Sequence, residues 1–176
     1  MQAAVLSNIG GVYVHTGRPR KALEYYQQAL ALARGSSEEE GYALSSIGRI
    51  YSSTGQPQQA LGYFQQALPL TRAAGDRVLE ALTLDNIGRA YSEMSQFQKA
   101  LDSYGQALSL RRAAGNKAGE AITLTDIGVA YAGAGQTRKA LDTLQQSLTL
   151  SRAAGDRAAV ATTLANISAI RKKARV

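Results

Sequence analysis

A short pattern returns five times along this chain, and its period restricts the fold more than any other feature. Asn8-Ile9-Gly10, Ser46-Ile47-Gly48, Asn86-Ile87-Gly88, Asp126-Ile127-Gly128 and Asn166-Ile167-Ser168 are separated by 38, 40, 40 and 40 residues. A second marker keeps step: Gln28-Ala29-Leu30, Gln66-Ala67-Leu68, Gln106-Ala107-Leu108 and Gln146-Ser147-Leu148. A unit of about 40 residues is too short to bury its own apolar face, so successive units must bury each other's.

Inside each unit apolar residues are spaced three and four apart, the period of a helix rather than of a strand. Leu84, Ile87, Ala90 and Tyr91 form one stripe, and Ala100, Leu101, Tyr104, Ala107 and Leu108 the next, so each unit is a helix pair. Thr16-Gly17-Arg18-Pro19 and Thr54-Gly55-Gln56-Pro57 place glycine in a tight turn and proline at the first position of the following helix. Gly75-Asp76, Gly115-Asn116 and Gly155-Asp156 set a left-handed helix stop before a side chain able to cap the next helix. Ser37 with Glu40 has the spacing of a capping box. These signals predict helices over 2–16, 19–34, 38–54, 57–74, 77–94, 97–114, 117–134, 137–154 and 157–172. Pro69 falls inside the fourth, where a bend is expected.

The stripes match a named pattern, W-x2-L-G-x2-Y followed by A-x3-F. Leu6, Ile9, Gly10 and Tyr13 fit it, as do Leu44, Ile47, Gly48 and Tyr51; then Leu84, Ile87, Gly88 and Tyr91; then Leu124, Ile127, Gly128 and Tyr131. The second helices supply Ala22 with Tyr26, Ala60 with Phe64, Ala100 with Tyr104, and Ala140 with Leu144. On these residues the chain resembles the tetratricopeptide repeats (TPR). The 40-residue unit is similar to the longer branch seen in kinesin light chains, Leu-Gly-Asn-repeat adaptors and bacterial TPR regulators. The resemblance implies an all-α, right-handed superhelical solenoid of about nine antiparallel helices, four pairs plus a closing helix. The expected organisation is a single array over 1–176, with units near 1–35, 36–75, 76–115 and 116–155 and a closing helix with a basic tail over 156–176. Small residues at Gly88 and Ala100 would let two helices cross closely. Aligning Met1-Gln2-Ala3-Ala4 with Val78-Leu79-Glu80-Ala81 starts the chain inside a first helix, as a fragment of a longer array or a frayed end would.

Composition matters mainly for what it removes. There is no cysteine, hence no thiolate nucleophile, disulfide framework or zinc–cysteine cluster, and His15 is the single histidine. No serine sits in a G-x-S-x-G elbow, and Gly133-Ala134-Gly135-Gln136-Thr137-Arg138-Lys139 lacks the spacing and the preceding strand of a phosphate loop. Paired carboxylates such as Asp85 and Asp126 have no evident dry pocket to tune them. The chain is therefore expected to be no enzyme and to need no cofactor or metal. With no membrane-length apolar run and no signal-type start, it is expected to be cytoplasmic.

In TPR arrays the first helix of each pair lines a concave groove, and the resemblance carries that role to particular residues here. Asn8, Tyr42, Ser46, Arg49, Asp85, Asn86, Arg89, Asp126 and Asn166 are the expected partner-binding set, with Ser45, Thr125 and Thr162 on the same faces. Asn8, Ser46, Asn86, Asp126 and Asn166 recur in register, a ladder able to bond the backbone of an extended peptide. The alternative for these groups is bonding between neighbouring helices. Arg49 and Arg89, one unit apart, suit an acidic side chain or a C-terminal carboxylate, with Asp85 and Asp126 cancelling part of their field. Tyr13, Tyr51, Tyr91 and Tyr131 read as core residues.

The net charge is +7, of which Arg171, Lys172, Lys173 and Arg175 carry four. Arg72, Arg77, Arg111, Arg112, Lys117, Arg152 and Arg157 flank the loops between units. The primary expectation is a scaffold that binds a protein or peptide in the groove, as part of a larger regulatory or adaptor protein. One alternative is nucleic-acid or acidic-partner binding along the basic edge and tail. Another is self-association through Val5, Ile9 and Val12 of the first helix.

Overall fold

The computed structural model describes residues 2–174. Among the described residues there are nine helices and no strand: α1 (Gln2–His15), α2 (Pro19–Leu32), α3 (Ser37–Ser53), α4 (Pro57–Ala73), α5 (Arg77–Glu93), α6 (Phe97–Ala113), α7 (Lys117–Gly133), α8 (Thr137–Ala153) and α9 (Arg157–Lys173). The apolar spacing anticipated every end to within two residues. Met1 and Arg175 lie outside the described residues.

Two kinds of turn alternate. Within a pair, Gly17, Gly55 and Gly135 take φ of 70, 74 and 75°, a left-handed conformation that costs glycine nothing. In the third pair the same place falls to Ser95, at φ 59°, and the turn still closes through the Gln96 N–H donating to the Tyr91 carbonyl at 2.8 Å. Between pairs, Gly75, Gly115 and Gly155 reverse the chain and the next side chain caps the new helix. Asp76 accepts from the Leu79 N–H at 2.9 Å, Asn116 from Gly119 at 2.8 Å and Asp156 from Ala159 at 2.9 Å. The cap of α3 differs from expectation by one residue. Ser36, not Ser37, accepts from the Glu39 N–H, at 3.4 Å, because Gly35 at φ 90° is the reversing residue and the cap is the residue that follows it. Pro69 does not interrupt α4, which runs from Pro57 to Ala73.

Helices pack as hairpins (α1 with α2, α3 with α4, α7 with α8), and within each compact unit neighbouring pairs meet through α2 and α3, or through α6 and α7 and α8 and α9. The glycine of the recurring pattern marks the closest approach. A Cβ on Gly48 would lie 2.6 Å from the Phe64 ring, one on Gly128 2.6 Å from Leu144 Cγ, and one on Gly10 3.0 Å from the Tyr26 ring. Around these crossings Ala22, Tyr26, Ile47 and Ile50 form one core cluster, Ala100, Tyr104, Ile127 and Ala130 another, and Leu144, Leu148 and Ile167 a third.

Hydroxyls are buried among these apolar groups. Ser45, placed on the groove face by the resemblance, is instead buried and hydrogen-bonded to Thr83 at 3.1 Å. Thr125, placed there too, bonds Ser147 at 2.8 Å, and Ser147 donates to the Ala121 carbonyl at 2.7 Å. A short hydroxyl at these positions satisfies itself on the helix alongside while occupying little more room than a methyl group.

The contacts gather into two compact units, one ending at Ala90 and the other beginning at Tyr91, so the division falls inside α5. The sequence reads as one array without such a division. Among the described residues no helix is long and apolar enough to cross a membrane.

Candidate functional site

In the first unit, three successive first helices converge on one cleft. Ala4, Ser7 and Asn8 of α1, Glu38, Glu39 and Tyr42 of α3, and Asp76 and Leu79 beside or on α5 line a space of about 190 Å³. All three helices contribute from their N-terminal halves, so α1, α3 and α5 run side by side in one direction, as the first members of consecutive antiparallel pairs must.

Asn8 and Tyr42, both expected in the binding set, are exposed on this cleft, Tyr42 at 40%. Arg49 lies two turns beyond Tyr42 on α3 and is exposed, and Arg89 holds the equivalent place on α5, also exposed. Ser46, between Tyr42 and Arg49, is buried and shares a hydrogen bond with the Tyr26 hydroxyl of α2. That is the interhelical reading of the polar ladder rather than the peptide-facing one. Burial pushes the Tyr26 phenol up from its ordinary value, the neighbouring Tyr42 adds to this, and the Ser46 bond and the Arg49 charge oppose it. Asp85 and Asn86 on α5 are buried as well. Asn86 Nδ2 is enclosed without a hydrogen-bond partner, whereas Asp85 and Arg89 each take part in further interactions. In the second unit Asp126 on α7 and Asn166 on α9 are half-buried on helices that touch each other.

Two site features were not anticipated. Glu38, Glu39 and Asp76 give the cleft a negative end, opposite the Arg49 end of α3. Of these, only Asp76 is legible in the sequence, as a helix cap; Glu38 and Glu39 stand in the first turn of α3, where acidic residues also favour the helix start. Tyr26 was read as a packing residue, yet its hydroxyl reaches Ser46 because its ring slides over Gly10. The hint was its phenol at a place where Phe64 and Leu144 carry no polar atom.

Tyr13, Tyr51, Tyr91 and Tyr131 are half-buried rather than fully enclosed. Their outer sides are covered. Tyr13 stacks on Tyr25 and Tyr51 on Tyr63, both with ring centroids 5.3 Å apart, while Lys99 lies over Tyr91 and Lys139 over Tyr131, both 5.5 Å from the centroid. His15 is exposed at the end of α1, its Nδ1 2.8 Å from the Gly11 carbonyl. Gly133-Ala134-Gly135-Gln136 is the turn from α7 to α8. No cluster of three or more His, Asp or Glu able to hold a metal occurs among the described residues.

The basic edge is largely engaged. Glu80 Oε1 accepts from Arg72 Nε at 2.9 Å and Oε2 from Arg77 Nη1 at 3.1 Å; Glu120 repeats this with Arg112 Nε at 2.8 Å and Lys117 Nζ at 3.0 Å. The Arg112 bond holds the Glu120 carboxyl below its ordinary value of 4.5, against the opposing effect of burial and with help from Lys117.

Comparison with known proteins agrees with this geometry. The tetratricopeptide repeat model matches residues 1–73, 41–113 and 79–153. No curated protein sequence matches the chain. Among solved structures, aspartyl phosphate phosphatase F from Bacillus subtilis is similar at a TM-score of 0.87 and 18% identity, over 96% of this chain and 45% of its own. This chain thus spans less than half of that protein. BtubC (BKLC) from P. vanneervenii gives 0.84 and 20%, over 96% of this chain and 71% of its own. The nearly identical TPR-like repeats ascribed to a kinesin light chain in Podosopora anserina give 0.71 and 17%, over 97% and 95%. With its glycine crossings, paired helices and family match spanning most of its length, the chain belongs to the tetratricopeptide repeat family.

Proposed function

We propose that this chain is a protein-interaction scaffold that holds an extended polypeptide segment against the face formed by α1, α3 and α5, and that it performs no chemistry of its own. The observation that carries the proposal is the cleft to which three successive first helices contribute Asn8, Tyr42 and flanking carboxylates. Along α3 the exposed side chains pass from Glu38 through Tyr42 to Arg49. At 1.5 Å per residue this is a span of about 16 Å, the length of roughly five extended residues. A bound segment would place a basic group near Glu38, Glu39 and Asp76 and an acidic one near Arg49 and Arg89. The Asn8 amide would bond its backbone, and the enclosed Asn86 amide would gain a carbonyl partner after a small side-chain movement. Asp126 and Asn166 would serve in the same way on the second unit.

One of the similar structures is named a phosphatase. At 18% identity the likeness shows the fold alone, and this chain's reading stays with binding. A cytoplasmic setting, as part of a larger regulatory protein, fits this use.

The test is selection from a random peptide library, followed by calorimetry on an enriched peptide. Asn8→Ala with Asn86→Ala, and separately Arg49→Glu or Arg89→Glu, should each weaken binding about tenfold or more, with helicity unchanged. Equal affinity in all these variants would remove the site from this face.

A second reading has its own observation. Gln2, Val5, Leu6 and Leu32 line an apolar cleft of about 410 Å³ between α1 and α2, and Val5 and Val12 are more than half exposed. Self-association through α1 would cover it. Sedimentation showing a concentration-independent mass of 18.6 kDa would dismiss that reading.

A further inference from the structure

The corner between a second helix and the next first helix is built three times to one plan. Arg72-Ala73-Ala74-Gly75-Asp76-Arg77, Arg112-Ala113-Ala114-Gly115-Asn116-Lys117 and Arg152-Ala153-Ala154-Gly155-Asp156-Arg157 have the same pattern. Their glycines share a backbone conformation, at φ 70, 64 and 69°, and their caps the same geometry. At the first two corners a glutamate three residues into the new helix is clamped, one oxygen on each basic side chain, at 2.8–3.1 Å. At the third corner that place holds Val160, which packs against the cluster of Leu144, Leu148 and Ile167. The two arginines are retained and exposed while their carboxylate is gone.

No other carboxylate of α8 or α9 takes its place. Asp156 is occupied capping Ala159, as Asp76 caps Leu79 beside a filled clamp. Asp142 lies ten residues before Arg152, about 15 Å along α8. We infer that Arg152 and Arg157 form a receptor for a carboxylate supplied by an acidic partner polypeptide, which would occupy the place that Glu80 and Glu120 fill within the chain. A planar carboxylate with one oxygen for each guanidinium fits the spacing that the two filled corners display. This site belongs to the second unit and does not depend on the cleft of the first.

The repeat itself supplies the test. Val160→Glu should install the missing intrachain carboxylate, since the same position already accepts glutamate on α5 and α7, and should close the receptor. Arg152→Ala with Arg157→Ala should abolish it by the opposite means. Titrating the full chain at low salt with fluorescent, C-terminally amidated octaglutamate should show binding that both variants weaken by at least about fivefold. Arg138→Ala, at the far end of α8, should leave it unchanged, and thermal melts of all variants should report an intact fold. Wild-type chain that fails to bind octaglutamate overturns the inference. So does equal binding in both variants, or equal weakening by Arg138→Ala, which would indicate diffuse charge. Octathymidylate binding that is lost in the variants while octaglutamate binding persists would reassign the corner to phosphate and overturn it as well.

Discussion

Ser95 is the one non-glycine residue among those described with a positive φ, where the other within-pair turns use glycine. A Cβ there costs about 1 kcal/mol, so Ser95→Gly should raise the unfolding free energy by about that amount in urea titration. Glycines inside helices divide by their neighbours. Gly48 and Gly128 face Phe64 and Leu144 too closely to accept a methyl group, while Gly62 and Gly105 have open space around them. Gly128→Ala should therefore destabilise by about 1–3 kcal/mol through overpacking, and Gly62→Ala should stabilise by about 0.5–1 kcal/mol through helix propensity alone. Equal effects at the two sites would contradict the close crossing. The recurrence of Ile-Gly at a fixed interval marked Gly48 and Gly128 in the sequence. In it only the Tyr26 phenol separates Ser46, bonded to Tyr26, from Asn8, open on the cleft, because both occupy the same repeat position. Asn86, at the same repeat position, is also covered although its amide nitrogen has no hydrogen-bond partner, so packing rather than a reaching hydroxyl sets the exposure.

At the scale of elements, the corner clamps join the end of one pair to the start of the next. The depressed titration of Glu120 gives a signed consequence. Its folded value lies below the unfolded one, so its contribution is present above pH 4.5 and disappears as the pH falls through the folded value. Glu120→Gln should flatten the acid limb of a melting-temperature profile below that pH and change little at pH 7–9 beyond a constant offset; an unaltered acid limb would show that the carboxyl is not held down. Helix limits were legible because glycine, proline and capping residues act within a few positions of where they stand. The one-residue error at Ser36 arose between two adjacent serines, either able to cap, and the reversal at Gly35 decided between them.

For the whole molecule, burial is unequal among helices. Ala3, Ser7 and Gly10 are the buried residues of α1, Ala22, Tyr26 and Ala29 those of α2, and Thr163 and Ile167 those of α9, against eight residues on α3, ten on α5 and eight on α7. Amide exchange should therefore be fastest in α1, α2 and α9 and slowest in α3, α5 and α7, reflecting local opening where few apolar contacts must break. Uniform protection across the helices would contradict this. The charge of +7 is likewise unequal in availability, since Glu80 and Glu120 engage four of the basic groups on the loop edge. The sequence by itself determined the helices, their turns, the pairing and the family, because each rests on residues close together or repeated at a fixed interval. Only the tertiary structure decided which equivalent side chains are exposed, which carboxylates are clamped, and that Glu38, Glu39 and Asp76 share a cleft with Asn8. The exposures and the cleft depend on atoms tens of residues apart in the chain that packing brings together, and the clamps, though they join residues only three and eight apart, close only once the corner between two helices has folded.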